Sequence, residues 1–333
     1  MKLVSHLYQG KETLAFYIDG KLYNTHQIHQ ELPQTMQEYL DQKDHYHPLM
    51  LTNLNDLISR PERISWLAFD EAELLSPLPK PKSFRDAYAF RQHVEAGRRN
   101  RNLEMIPEFD QFPVFYFSNP NVFAANGPLE LMPDHFDRLD YELEIAIIIG
   151  KKGKNILAAD ADEYIAGYMI LNDWSARQLQ MEEMTLNLGP AKGKDFITTA
   201  GPILVTPESL KSYEVDPQPG HIGKAYDLEM IAKVNGKERS RGNFKDMHWT
   251  FAEIIERCSY GVELIPGDVI GSGTVGTGCL LELNGTLLRN NPKAKAEWLK
   301  DKDEVSMEIT ELGELKNTVH KSNTKHSLFD LKK

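Results

Sequence analysis

Residues 140–150 read DYELEIAIIIG, and this stretch decides the fold class of the chain. Acidic residues at every second position pass into an isoleucine-rich run, which predicts a β-strand over 141–149. Asp140, Glu142 and Glu144 then share one face of that strand. Carboxylates crowded on a half-buried face need protons, basic partners or a metal ion. For this stretch alone, the alternative is a solvated strand face.

The patterns on either side of this strand predict more strands than helices. The predicted elements are strands at 164–171, 268–271 and 279–283, a hairpin over 226–240, and helices over 84–95, 174–184 and 244–258. Asn243 is placed to cap the last helix. Because several strands are joined by tight turns, we expect an α+β fold with mixed β-sheets and flanking helices.

A proline-rich connection at residues 76–83, SPLPKPKS, divides the chain. Proline at every second position favours an extended, non-helical segment. We therefore predict a small β-rich N-terminal domain over 1–78, with a hairpin at Asp19-Gly20, and a main domain over 79–333. The length of 333 residues suits one large and one small domain.

Charge and cysteine content exclude several classes of protein. The 38 Lys and Arg against 49 Asp and Glu give a formal net charge of −11, which argues against nucleic acid or an anionic membrane as partner. The start, MKLVSH, lacks a signal-peptide pattern, and the longest apolar run, 145–149, is far below the ~20 residues that span a bilayer. Cys258 and Cys279 match no disulfide framework or zinc motif. We expect a cytoplasmic protein.

Residues 271–276, GSGTVG, fit the dinucleotide-binding pattern G-x-G-x-x-G. That interpretation requires a helix directly after the last glycine and an acid ~20 residues later. The residues that follow instead predict the short strand 279–283 and a turn at Asn284-Gly285. A glycine-rich active-site loop between strands is therefore favoured.

A further acid, Asp173, follows the predicted strand 164–171 at the point where a helix begins. By itself this residue is most simply a helix N-cap. Together with Glu142 and Glu144 it would form an all-oxygen site, which suits Mg²⁺, Mn²⁺ or Ca²⁺ better than Zn²⁺. The pattern therefore predicts a site for a hard divalent cation.

Four motifs in order resemble the fumarylacetoacetate hydrolase family. They are Glu142-Leu143-Glu144, Asn172-Asp173-Trp174-Ser175-Ala176-Arg177, Gly193-Lys194-Asp195-Phe196 with Thr198, and Pro266-Gly267-Asp268 with Ser272-Gly273-Thr274. Each motif alone is a weak signal, but the four together are specific. The resemblance covers residues 84–310 and implies a β-roll or β-sandwich catalytic domain that binds a divalent cation.

Residues 86–93, DAYAFRQH, are similar to a motif of the family's fumarylacetoacetase group. The metal ligands that the resemblance implies are Asp86, Glu142, Glu144 and Asp173. The implied catalytic residues are His93 as general base, Glu282 as the group that orients it, and Lys194 as the cation that stabilises an enolate. The implied substrate-binding residues are Tyr88, Arg99, Tyr116, Gln180 and Thr274, with Arg101 as the alternative to Arg99.

Several of these residues also have a purely structural interpretation. His93 could be a helix-surface histidine, Lys194 an ordinary surface lysine, and Glu282 a solvent-facing strand residue. Arg177 is more simply the partner of an acid. Met184 stands where the fumarylacetoacetase group has a substrate-contacting tyrosine, which leaves the substrate open.

The implied function is hydrolysis of a carbon–carbon bond in a β-diketo acid, such as fumarylacetoacetate or an acylpyruvate. Water activated by His93 and Glu282 would attack a metal-chelated diketone. A decarboxylase, isomerase or hydratase-like enzyme of aromatic catabolism is the alternative on the same scaffold. A non-catalytic metal- or ligand-binding protein is the alternative of another class. The resemblance also implies a homodimer and a role in aromatic amino acid catabolism.

Overall fold

The computed structural model describes residues 1–332. In it the stretch of acids and isoleucines forms a strand near the middle of a large sheet. The strands in chain order are β1 Lys2–Tyr8, β2 Lys11–Ile18, β3 Lys21–Asn24, β4 Leu67–Ala68, β5 Glu73–Leu74, β6 Ser83–Ala87, β7 Phe115–Ser118, β8 Phe123–Ala124, β9 Gly127–Leu131, β10 Leu139–Asp140, β11 Leu143–Ile149, β12 Gly153–Lys154, β13 Ile165–Asp173, β14 Ser175–Ala176, β15 Thr198–Ala200, β16 Ile203–Val205, β17 Glu214–Val215, β18 Ala225–Tyr226, β19 Glu229–Val234, β20 Lys237–Asn243, β21 Glu263–Leu264, β22 Asp268–Gly271, β23 Glu304–Ile309 and β24 Gly313–Lys321.

Helices lie around these strands and are mostly short. They are α1 Thr25–Ile28, α2 Met36–Asp41, α3 Lys43–Ser59, α4 Arg91–Asn100, α5 Ala158–Ala161, α6 Arg177–Met184, α7 Phe251–Ser259 and α8 Leu280–Asn290. Within residues 1–332, no helix combines the length and the apolar character needed to cross a bilayer.

The strands form two large open sheets. The first runs in the order β4-β3-β2-β1-β16-β13-β11-β22-β6-β7, with β5, β8 and β15 attached beside it. Most neighbouring strands are antiparallel, whereas β22 and β6 are parallel. The second sheet runs β20-β19-β23-β24-β9. Mixed sheets with flanking helices confirm the predicted α+β class.

Strand β11 is buried on both faces, which explains its unbroken apolar run. Ile145 and Ile147 belong to a core that includes residues of the second sheet and of α7. Ala146 and Ile148 belong to a second core that includes residues of α2 and α3. Since alternate side chains of a strand point to opposite faces, both cores meet at this strand. The strand is therefore a fixed support for the acids at its start.

Two predicted elements beside the site are wrong. Residues 83–87 form strand β6, paired with β22 and β7, so helix α4 begins only at Arg91. The predicted strand 279–283 and the turn at Asn284-Gly285 are part of helix α8. That helix starts where Asp140 accepts hydrogen bonds from the amides of Leu280 and Leu281, at 2.7 and 3.0 Å. A buried acceptor distant in sequence thus satisfies amides that begin the helix.

The other elements follow the predictions more closely. Hairpins form at Asp19-Gly20 and Asn235-Gly236, in the positive-φ conformation that such turns require. Helix α7 is shorter than predicted, because Thr250 and Glu253 form its capping box. Asn243 instead caps a short 3-10 turn.

The N-terminal segment joins the main sheet directly. Strand β1 pairs with β16 at Val4–Ile203, and with β2 on its other side. Residues 1–78 also contain α2 and the 17-residue helix α3, so strands and helices are both prominent there. The domain boundary at residue 78 stays a prediction.

Candidate active site

Four buried carboxylates meet on one face of the large sheet. Asp86 is the penultimate residue of β6, and Asp173 is the last residue of β13. Glu142 directly precedes β11, and Glu144 is the second residue of that strand. One carboxylate oxygen of each lies within 4.8 Å of the other three. Because β13, β11, β22 and β6 are neighbours in the sheet, residues more than 80 positions apart converge here.

Gly271 on β22 leaves the space that the carboxylates occupy. It pairs with Asp86 on one side and with Ala146 on the other. A Cβ atom at this position would lie 2.3 Å from Asp86 Oδ1 and 3.2 Å from Glu144 Oε2. Only glycine fits at this place with the carboxylates in their present positions.

The glycine-rich loop after β22 binds the same acids. The Gly273 amide donates to Asp86 Oδ1 at 3.2 Å and to Glu144 Oε2 at 3.1 Å. The Thr274 hydroxyl donates to Glu144 Oε1 at 3.4 Å. The structure therefore places the GSGTVG segment at the carboxylate cluster.

Two buried cations contact the cluster. Lys194 Nζ donates to Glu142 Oε2 and, at 2.6 Å, to Asp173 Oδ2. Arg177 donates to Glu142 Oε1 at 2.7 Å and to Asp140 Oδ2 at 2.8 Å. Asp140 is therefore not one of the four clustered acids, because it pairs with Arg177 and with the start of helix α8. This contact fits the structural interpretation of Arg177.

A close backbone approach positions Lys194. The neighbouring Gly193 lies against helix α6, where a Cβ atom would be 2.6 Å from the backbone nitrogen of Gln180. The amide of Ala176 donates to the Gly193 carbonyl at 2.9 Å. The Gly-Lys pair of the motif thus lets the loop pack on α6 and directs the ammonium inward.

Burial and mutual repulsion separate the pKa values of the four acids. Burial raises the pKa of Asp86 to about 8, and the charge of Asp173 adds to the effect. Burial and Asp86 raise the pKa of Glu144 well above its usual range. Burial also opposes ionisation of Glu142, but Lys194 and Arg177 lower its pKa to about 2. Lys194 and Arg177 therefore stabilise the negative charge of Glu142, whereas ionisation of Asp86 and Glu144 is disfavoured.

The donor set fits a hard divalent cation. All four side chains offer carboxylate oxygens, the ligands that Mg²⁺, Mn²⁺ and Ca²⁺ prefer. Asp173 Oδ1 is buried, and no group within residues 1–332 forms a hydrogen bond with it. An unsatisfied buried acceptor is costly, so this oxygen is available to a cation.

A histidine–glutamate pair lies next to the carboxylates. His93 on α4 contacts Glu282 on α8, with Nδ1 and Oε2 2.6 Å apart. The second oxygen of Glu282 accepts from the Thr277 amide at 2.9 Å. One ligand atom of His93 lies within 4.8 Å of one of Glu142. The predicted base and its orienting group are therefore adjacent, although Glu282 is on a helix.

The predicted substrate-binding residues take different positions. Tyr116 donates to Asp173 Oδ2 at 2.5 Å, and Gln180 accepts from Arg177 at 2.9 Å, so both support charged site residues. The Tyr88 ring packs edge-on against the His93 ring, with centroids 5.9 Å apart. Burial raises the pKa of Tyr88 to about 12, and the positive charge of Arg101 opposes that rise.

The two arginine candidates both lie at the exposed end of α4. The backbone carbonyl of Arg99 accepts from Arg289, while the Arg101 guanidinium donates to the Gly97 carbonyl at 3.0 Å. For both Arg99 and Arg101, a role in substrate binding stays a prediction.

Cys279 is the site residue that sequence reasoning missed. It is fully buried at the N-cap of α8 and accepts from the Glu282 amide at 3.5 Å. Its sulfur lies within 4.8 Å of ligand atoms of both His93 and Glu142. Cys279 lies three residues before Glu282, a spacing that places an N-cap side chain beside the third residue of a helix. The sequence could have indicated this contact only if a helix had been predicted there.

A family model described as fumarylacetoacetate (FAA) hydrolase C-terminal matches residues 82–320. The chain belongs to the fumarylacetoacetate hydrolase family. The matched residues include all four carboxylates, His93, Lys194 and Glu282. The resemblance found in the sequence motifs is thereby confirmed.

Two curated members of the family are similar to this chain. The fumarylacetoacetase of Oryza sativa subsp. japonica is 37% identical over 198 residues, which cover 50% of this chain and 46% of the rice protein. The oxaloacetate tautomerase YisK of Bacillus subtilis (strain 168) is 30% identical over 262 residues, which cover 76% of this chain and 74% of YisK. The match thus spans about half of the rice enzyme and most of YisK.

A solved enzyme structure has the same fold. Maleylpyruvate hydrolase from Sphingobium sp. SYK-6, in complex with manganese(II) ion and pyruvate, aligns with a TM-score of 0.68 over 97% of this chain and 100% of that chain. The identity of 17% limits this likeness to the fold. The proteins that this chain resembles therefore include a fumarylacetoacetase and a tautomerase, and a hydrolase of the same fold binds manganese(II).

Proposed function

We propose that this protein is a divalent-metal-dependent hydrolase that cleaves a carbon–carbon bond in a β-diketo acid of the fumarylacetoacetate or acylpyruvate type. The carrying observation is the His93–Glu282 pair beside the carboxylate cluster. A separation within 4.8 Å between ligand atoms of His93 and Glu142 is short enough for one water molecule to bridge them.

The residues that would hold the cation are Asp86, Glu142, Glu144 and Asp173. When bound, a divalent cation supplies Lewis acidity toward the two oxygens of a 1,3-dicarbonyl group. Mg²⁺, Mn²⁺ and Ca²⁺ all suit this donor set, and the manganese in the related hydrolase supports the choice of metal class.

His93 would act as the general base. Nδ1 donates a hydrogen bond to Glu282 and keeps its proton, which leaves the lone pair of Nε2 free to take a proton from water. The water oxygen forms a bond to the ketone carbon, and the carbon–carbon bond then breaks. The electron pair of that bond passes to the leaving enolate, which takes up one proton to give the second product.

Lys194 would stabilise the negative charge of the enolate. Burial opposes the charged form, but Asp173 and Glu142 raise the pKa of Lys194 above its usual value, so it stays an ammonium. A fixed cation in a buried site stabilises developing charge far more than one in water. The same charge would attract the carboxylate of the substrate into an otherwise acidic protein.

A tautomerase of a 2-oxo acid is the second candidate function. The similarity to YisK supports it, because that match extends over 76% of this chain. A base and a buried cation that stabilise an enolate also suffice to move a proton between carbon and oxygen. Such a reaction needs no attacking water. Decarboxylases and other isomerases of aromatic catabolism belong to the same group of alternatives.

Product analysis separates these functions. The purified protein would be mixed with acetylpyruvate or fumarylacetoacetate and with Mg²⁺, Mn²⁺ or Ca²⁺ in turn. Hydrolysis predicts loss of the enol absorbance and formation of two carboxylic acids per diketo acid consumed, for example pyruvate and acetate from acetylpyruvate. Loss of the enol band without cleavage products would support the tautomerase. Metal binding without loss of the enol absorbance and without cleavage products would support a non-catalytic binding protein.

The homodimer, the cytoplasmic location and the role in aromatic amino acid catabolism are proposals as well. They have the support of family membership alone. Sedimentation of the purified protein would test the dimer directly.

A further inference from the structure

A second set of metal-binding atoms lies beside the carboxylate cluster. One ligand atom each of His93, Cys279 and Glu142 lies within 4.8 Å of the other two. Nitrogen, sulfur and oxygen together are the donors that borderline and soft cations such as Zn²⁺ and Cd²⁺ prefer. The carboxylate cluster, in contrast, offers oxygen only.

The Glu282 contact makes His93 a suitable ligand. Glu282 accepts from Nδ1 at 2.6 Å, so Nε2 carries the free lone pair. A histidine whose second nitrogen donates to a carboxylate is the usual arrangement around protein-bound zinc. The contact that prepares His93 as a base therefore also prepares it for a cation.

Cys279 becomes a thiolate ligand only when a cation displaces its proton, because burial and the charge of Asp140 raise the pKa of the thiol well above its usual range. The sulfur is the N-cap of the 11-residue helix α8 and accepts from the Glu282 amide at 3.5 Å. The positive end of a helix stabilises an anionic sulfur. The residue is buried, so a bound cation there would be shielded from water.

We propose that His93, Cys279 and Glu142 form a second metal site that binds Zn²⁺ or Cd²⁺ and inhibits the enzyme. Binding forms bonds to His93 Nε2, Cys279 Sγ and a Glu142 oxygen, and the thiol proton passes to solvent. Bond lengths of ~2.0–2.3 Å require ligand atoms that now lie within 4.8 Å of one another to close by about 1 Å.

Two consequences follow for catalysis, and they rest on the proposed function. A cation at this site removes the lone pair with which His93 would accept a proton. It also competes for Glu142, which the carboxylate cluster shares. Zn²⁺ should therefore inhibit turnover in competition with Mg²⁺ or Mn²⁺.

The test uses the ultraviolet charge-transfer absorbance of a Cd²⁺–thiolate bond, measured on the full chain without substrate. The chain has two cysteines, and Cys258 is buried in α7, so Cys258→Ser is the matched control. Serine at position 279 still accepts the amide of Glu282 as an N-cap, which keeps helix α8 formed. We expect one equivalent of Cd²⁺ to produce the band in the wild type and in Cys258→Ser, but not in Cys279→Ser.

A band that persists in Cys279→Ser, or its absence from the wild type, would overturn the proposal. In a parallel assay the Zn²⁺ concentration for half-inhibition should rise roughly tenfold or more in Cys279→Ser and stay unchanged in Cys258→Ser. Equal inhibition of both variants would contradict the inhibitory role. If no diketo acid turns over, the proposed function fails, while the absorbance result still decides the metal site.

Discussion

His93 and Glu282 are 189 positions apart in the chain, yet His93 Nδ1 and Glu282 Oε2 lie 2.6 Å apart. Helices α4 and α8 hold the pair together, since Asn100 near the end of α4 donates to the Glu282 carbonyl at 3.1 Å. The Thr277 amide fixes the other carboxylate oxygen. The orientation of His93 therefore depends on contacts between helices.

The first prediction concerns this pair. His93→Ala should abolish diketo acid turnover, because it removes the proposed general base, while the affinity for Mn²⁺ measured by calorimetry stays within a few-fold. Glu282→Gln should lower kcat by ~10²–10⁴-fold, since a neutral amide orients the imidazole without stabilising its charged form. Full activity in His93→Ala would exclude this residue from the mechanism.

The second prediction concerns the space at Gly271. Gly271→Ala places a methyl group 2.3 Å from Asp86 Oδ1, so the carboxylate must move. We expect the affinity for Mn²⁺ to fall about 10–100-fold. Gly97→Ala in helix α4 is the control, because no atom lies within 4 Å of its added Cβ. That variant should keep the metal affinity and gain ~0.5–1 kcal/mol of stability. Equal metal affinity in both variants would contradict the steric argument.

The third prediction concerns the buried ion pair of Asp140 and Arg177. Asp140→Asn removes one of the two carboxylates that pair with the buried Arg177 guanidinium, and it weakens the acceptor at the start of α8. We expect a loss of ~3 kcal/mol in the free energy of unfolding, measured in urea. Glu238→Gln breaks an exposed pair with Arg241 and should change stability by less than ~1 kcal/mol. Similar losses for the two variants would show that burial does not matter here.

The fourth prediction concerns pH and His135. This side chain is buried against Phe196, with ring centroids 4.0 Å apart. Burial, and then the charge of Lys192, lower its pKa to about 4 from 6.5. The unfolded chain therefore binds a proton first as pH falls, so stability is full above pH ~6.5 and declines toward pH ~4. His135→Gln should flatten the decline in unfolding free energy over this range.

The control for His135 is an exposed histidine. His326→Gln changes a residue near the C-terminus whose side chain is solvated. It should leave the pH dependence of unfolding as in the wild type. If His135→Gln and His326→Gln give the same curve, buried His135 contributes nothing to acid sensitivity.

The fifth prediction concerns the cation itself. Chelation should abolish turnover, and the apo protein should unfold more easily because the carboxylates then repel each other. Mn²⁺ at a hundredfold excess over its Kd should raise the free energy of unfolding by about 2.7 kcal/mol. Asp173→Ala should lose most of this gain, whereas Asp216→Ala, at an exposed position, should retain it. A cation effect of the same size in both variants would place the metal elsewhere.

The sequence predicted the centre of the fold well. The alternation in residues 140–150 predicted a strand, and the two Asn-Gly and Asp-Gly hairpins were correct, because these signals act over a few neighbouring residues. It also named the cluster of Asp86, Glu142, Glu144 and Asp173 through the motifs of the family. The predictions from local periodicity were wrong at two places. The predicted helix over 84–95 begins as strand β6, and the predicted strand over 279–283 is part of helix α8.

The sequence by itself determined which groups are available: four carboxylates, a histidine and a lysine, in an order typical of one family. Tertiary structure decided how they are used. Asp140 satisfies the first amides of α8 and so makes a helix where the local pattern predicts a strand. That helix brings Glu282 to His93 and Cys279 beside both. Such contacts join residues more than a hundred positions apart, and no local pattern contains them.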